Sequence, residues 1–93
     1  MTVGVLRARV ILREARSLKD KRQALNSVKD RLRARFNVSV AETEFQDIRQ
    51  RAELSVAVVS TERRHAESQL QKALGQIRGA PGLELASQEI EYY

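Results

Sequence analysis

The sequence predicts an α+β domain in which a four-stranded antiparallel sheet carries two helices on one face. Apolar residues alternate with period two in four stretches and recur at helical spacing in two longer ones. These periods follow one another as strand, helix, strand, strand, helix, strand. At 93 residues the chain has room for one core of two packed layers and no more. A single domain spanning residues 1–93 is therefore expected.

The first strand is read over Val3 to Leu12, where Leu6, Ala8, Val10 and Leu12 share one face. Val5, Arg7, Arg9 and Ile11 share the other, which should be the open face of the sheet. Ser17 is a helix cap whose hydroxyl meets a free N–H of the first turn, and Asp20 is placed to reciprocate. Leu18, Leu25, Val28, Leu32 and Phe36 form the apolar stripe of that helix, and Asn37 breaks the pattern. Val38 to Phe45 reads as a strand of divided phase, with Val38 and Val40 favouring one face and Ala41, Thr43 and Phe45 the other. A bulge or an edge position would resolve the conflict. Gln46 to Gln50 is a loop, and Ala52, Leu54, Val56 and Val58 set the phase of a third strand. Thr61 is expected to cap a second helix with Ala66, Leu70, Ala73 and Ile77 inward, stopped by Gly79, Pro81 and Gly82. Leu83 to Tyr92 is the last strand, in which Leu83 and Leu85 are out of phase with Ile90 and Tyr92. A bulge near Ser87 or an outward-turned edge is expected there. Two interleaved right-handed βαβ units of this order make the ferredoxin-like βαββαβ plait, with strands one and three central.

Composition narrows the function classes. With no Cys and one His, there is no disulfide framework, thiol nucleophile or zinc site, and no metal or cofactor is expected. No run is apolar enough for a membrane span or a signal peptide, so the expectation is a cytoplasmic protein without a membrane partner. Absent Cys, scarce Met and abundant charge also fit a thermophile. The net charge of +5 is unevenly divided. Residues 1–36 hold eleven Lys or Arg against three acids, whereas residues 37–93 hold six against nine. An asymmetry of this kind points to a polyanion partner.

Two neighbouring groups of basic residues carry that expectation. Arg13 and Arg16 lie in the loop that feeds the first helix, and Ser17, Lys19, Lys21 and Arg22 crowd its first turns. Cations at a helix N-terminus oppose the helix dipole, and a bound phosphate would reverse the sign. Arg22, Asn26, Lys29 and Arg33 line one flank of the apolar stripe and could follow the phosphates of a nucleic-acid strand without reading bases. Against both stands the plain alternative of solvated basic side chains. Stacking of RNA bases on the open sheet face is not expected, because Val5, Arg7, Arg9, Ala57 and Val59 stand where aromatics are needed. Small apolar residues around arginines suit a homodimer, through that face or a strand edge, or a small-ligand module. Glu42, Glu44 and Asp47 form an acidic group that reads more simply as solvated than as a Mg²⁺ site. Acylphosphatases share the βαββαβ order, but their glycine-rich loop is absent, so Arg16 and Asn37 do not make this chain one of them. The chain is not expected to be an enzyme.

Several blocks together resemble the YlxP-like family of small bacterial proteins, a domain family of unknown function. They are V-G-V-L at 3–6, S-L-K-D-K-R at 17–22, F-N-V-S-V-A-E at 36–42, Q-D at 46–47 and Q-R-A-E-L at 50–54. The resemblance weakens after Ala66, and near Arg49 the family pattern has a larger aromatic. It implies a ferredoxin-like fold and genes that often sit among translation and ribosome-maturation genes, and it supplies no active-site residues. The expected function is a non-enzymatic protein that binds RNA or a ribosomal subunit through phosphate contacts.

Overall fold

The alternation that starts at Val3 runs through a ten-residue strand, β1 (Thr2–Ile11), in the computed structural model, which describes residues 1–93. The elements after it are α1 (Leu18–Arg35), β2 (Ser39–Glu44), β3 (Arg51–Ser60), α2 (Arg63–Arg78) and β4 (Glu84–Tyr92). Their order in the sheet is β2-β3-β1-β4, with every neighbouring pair antiparallel. This is the ferredoxin-like plait, with β1 and β3 central and both helices covering one face.

One core lies between the layers. Leu6, Ala8 and Val10 of β1 and Leu54, Val56 and Val58 of β3 meet Leu25, Val28 and Leu32 of α1 and Leu70, Ala73, Leu74 and Ile77 of α2. Gly4 shares the core face of β1 and sets how closely α2 approaches. A Cβ at that position would lie 2.8 Å from Leu70 Cδ1, so any larger residue would force the buried Leu70 side chain to shift.

Both strands of divided phase contain a bulge. In β2 the register against β3 shifts between Glu42 and Glu44, so Val40 and Glu42 face the helices while Thr43 turns to the open face. In β4 the register against β1 shifts between Arg9 and Val10, leaving Ala86 as the extra residue. Leu85 before the bulge and Ile90 and Tyr92 after it then pack on the same core. The opposite phases in the sequence are thus one inward face interrupted by one added residue.

Capping follows the sequence at α1 and departs from it at α2. Ser17 Oγ accepts the Asp20 N–H at 3.1 Å, while the Asp20 carboxylate reaches one residue further back than expected and accepts the Arg16 N–H at 3.0 Å. Thr61 does not cap α2. The N-cap is Glu62, which makes no side-chain cap, and its own N–H is held by Ser60 Oγ at 3.1 Å. Helix α2 ends at Gly79, and Gly82 takes φ +81 in the turn to β4, a conformation that favours glycine. No helix is long and apolar enough to cross a membrane.

Candidate nucleic-acid interface

The expected basic surface separates into three groups with different surroundings. The first is buried. Lys21 is 1% exposed, and its ammonium donates to the carbonyls of Phe45 and Ile48 at 2.6 and 2.7 Å, with Glu42 Oε2 also at 2.7 Å. The contact with Glu42 lacks hydrogen-bonding angles, so that buried oxygen has only the ammonium charge for compensation. Lys21 therefore does not belong to the anion-binding surface, and Glu42 is drawn out of the acidic group with Glu44 and Asp47. Sequence spacing contained the signal. Positions 18, 21, 25, 28 and 32 step by three and four, and Lys21 fills the inward slot between Leu18 and Leu25. The lysine anchors the β2–β3 loop, where Phe45 has φ +65 and Arg51 lies over its ring at 4.2 Å.

The second group is neutralised. Arg13 pairs through two bonds with Glu84, Nε to Oε2 at 2.6 Å and Nη2 to Oε1 at 3.1 Å. On the open sheet face Arg9 bonds Glu89 at 2.6 Å and approaches Glu53 at 3.1 Å, and Arg7 pairs with Glu91. Glu53 also accepts from Thr43, and despite its place on the open face it is 5% exposed. Arg13 is thus withdrawn from the predicted phosphate contacts by a carboxylate that lies far away in sequence. Hydrogen bonding by Arg13 and its charge hold the Glu84 carboxyl below the usual carboxylate range. Glu91 is lowered likewise, first by the Tyr93 hydroxyl and then by Arg7.

The third group stays free. Arg16, Lys19 and Arg22 are exposed and Lys29 is half-buried, and none of them has a carboxylate partner. Asn26 is exposed among them. Arg33 belongs to the row only in part. Its Nη2 donates to the Val40 carbonyl at 3.0 Å, and its Nη1 lies 3.8 Å from Asp30. Ser17 has a capping role, and the Asp20 carboxylate, which accepts the Arg16 N–H, places a negative charge of the chain's own beside the predicted anion seat. Arg31 and Arg35, on the opposite flank of α1, are exposed without ionic partners and extend the positive surface.

The geometry defines a small ferredoxin-fold domain whose α1 is cationic and whose open sheet face is charge-paired. Residues 3–90 match the family described as Protein of unknown function (DUF503), and the chain belongs to that family. A Bacillus subtilis (strain 168) relative described as Uncharacterized protein YlxP is 34% identical over 91 residues, covering 98% of this chain and 99% of the relative. Among solved structures, the solution NMR structure of the de novo designed protein LFR1 1 with ferredoxin fold is similar at a TM-score of 0.56. The likeness covers 98% of this chain and 85% of that one at 15% identity, and it bears on the fold alone.

Replacing Lys21 with Met is expected to cost about 3–5 kcal/mol in denaturant unfolding, because Glu42 is left buried and unpaired. Replacing Glu42 with Leu in the same chain should recover part of that loss. A pH effect is expected at Glu84. Its folded-state pKa is depressed, so its contribution to stability is present above the unfolded value and is lost as pH falls through the folded one. In Arg13→Ala, a carboxyl NMR titration should show Glu84 returning upward to the ordinary range.

Proposed function

We propose that this protein is a non-enzymatic RNA-binding protein that contacts phosphates, on free or ribosomal RNA, through α1 and the end of the loop before it. The observation that carries the reading is the segregation of charge. Arg16, Lys19, Arg22 and Lys29 stand without partners on the helix side, while Arg7, Arg9 and Arg13 are matched by Glu53, Glu84, Glu89 and Glu91, and Arg51 at the sheet margin lies over the Phe45 ring. A phosphate backbone approaching the sheet meets the exposed carboxylates of Glu84, Glu89 and Glu91. Approaching α1 it meets unpaired cations, with Asn26 as a neutral donor among them.

The contacts position a strand and do not read it. No aromatic side chain stands in the row for a base to stack on, so binding should depend weakly on sequence and strongly on salt. Lys21, Arg13 and Ser17 drop out of the proposed contact set, and Arg33 contributes only through what its bond to Val40 leaves free. The proposed place of action is beside RNA in the cytoplasm.

Affinity for a short single-stranded RNA, measured against salt, should fall with a log–log slope of about −3, as four phosphate contacts on a single strand imply. Arg22→Ala and Lys29→Ala should each reduce the slope by about 0.7 and weaken binding uniformly across RNA sequences. Arg7→Ala should leave the slope unchanged. Loss of slope in Arg7→Ala, with Arg22→Ala and Lys29→Ala unaffected, would move the interface to the sheet and contradict the proposal.

A further inference from the structure

The open face of the sheet is not plain solvent surface. At one end Val3, Val5, Ala57 and Val59 form a cross-strand apolar patch, with Val3 opposite Val59 and Val5 opposite Ala57. Val59 is 63% exposed, the highest exposure of any large apolar side chain within a strand. A hollow of about 170 Å³ lined by Asn37, Val38, Ser39, Ala57 and Val59 borders the patch and can admit a protruding side chain. Towards the middle the face carries Arg7, Arg9, Glu53, Glu89 and Glu91 in close pairs. The opposite layer of the molecule is already filled by its two helices.

We propose that this face is the interface of a symmetric homodimer in which two copies pack sheet to sheet, with the Val3, Val5, Ala57 and Val59 patch as its apolar anchor. A two-fold interface needs a surface that complements itself. Alternating Arg and Glu in nearly equal number meets that condition, since each arginine of one copy can face a glutamate of the other. The α1 surface fails it, because two cationic helices repel. The strand edges are protected as well. Arg33 covers the outward carbonyl of Val40 on β2, and bulges at Thr43 and Ala86 interrupt β2 and β4, so edge-to-edge pairing is disfavoured. Four strands about 4.8 Å apart, of ten, six, ten and nine residues, offer roughly 550 Å² per copy. Two such faces total roughly 1,100 Å², just below the range of stable interfaces and within that of weak ones, so the dimer should be weak and dependent on concentration. The same packing leaves α1 of both copies outward and free for the polyanion, so the two surfaces do not compete.

The test is sedimentation equilibrium of the full chain from low to high micromolar concentration, with Val59→Glu and Arg22→Ala beside the wild type. The wild type should show a monomer–dimer equilibrium. Val59→Glu, which buries an unpaired carboxylate in the dimer but sits on an exposed position of the monomer, should weaken association by about 30-fold or more. Its circular dichroism and melting of the dilute monomer should match the wild type, and Arg22→Ala should dimerise unchanged. A wild type that remains monomeric at high micromolar concentration overturns the proposal. So does a dimer that Val59→Glu leaves intact, which would place the contact elsewhere, or one that forms only with another protein present.

Discussion

The alignment of β4 beside β1 decides where this protein is charged. Antiparallel pairing brings Glu89 and Glu91 diagonally across from Arg9 and Arg7, and the neighbouring pairing with β3 brings Glu53 directly opposite Arg9. Three acids from the acidic half of the chain thereby neutralise two arginines from the basic half. Glu84, at the start of β4, does the same for Arg13. The unmatched cations include those of α1 and the end of its leading loop, along with Arg49, Arg51 and the α2 residues Arg63, Arg64, Lys72 and Arg78. The functional reading depends on this pairing, because a sheet with free arginines would compete with α1 for any polyanion.

A second consequence concerns stability and surface together. Exposed pairs such as Arg13–Glu84 contribute little to folding free energy. Their importance lies in cancelling positive potential on one face of a molecule whose net charge is +5. Lys21 is the reverse case. It is a charge whose place is structural, tying α1 to the β2–β3 loop through two carbonyls and one carboxylate. The first helix is then a ridge whose outer side is available and whose inner side includes one of its own lysines.

Most of the fold was legible from periodicity. Leu25, Val28 and Leu32 on α1 and the alternation through β1 and β3 report local geometry that tertiary contacts reinforce. The divided phases of β2 and β4 were legible as conflicts, and the bulges at Thr43 and Ala86 resolve them. The cap of α2 was not. Thr61 has the right chemistry, but the helix begins one residue later and Ser60 takes the neighbouring N–H. For the candidate site, residue type identified the cations but not their partners. Glu84 is 71 residues from Arg13, and no local pattern links them. Lys21 was legible from its spacing, because positions 18, 21, 25, 28 and 32 share one face of α1.

The central claim is that a polyanion meets α1 and not the sheet. Amide shift mapping of the ¹⁵N-labelled protein, titrated with a short single-stranded RNA at low salt and again with added salt, tests it most directly. The account predicts salt-sensitive perturbations at Arg16, Lys19, Arg22, Asn26 and Lys29, with β1 and β3 residues from Arg7, Arg9 and Ser55 unmoved. Perturbations centred on the open sheet face, or a spectrum indifferent to RNA at low salt, would contradict it.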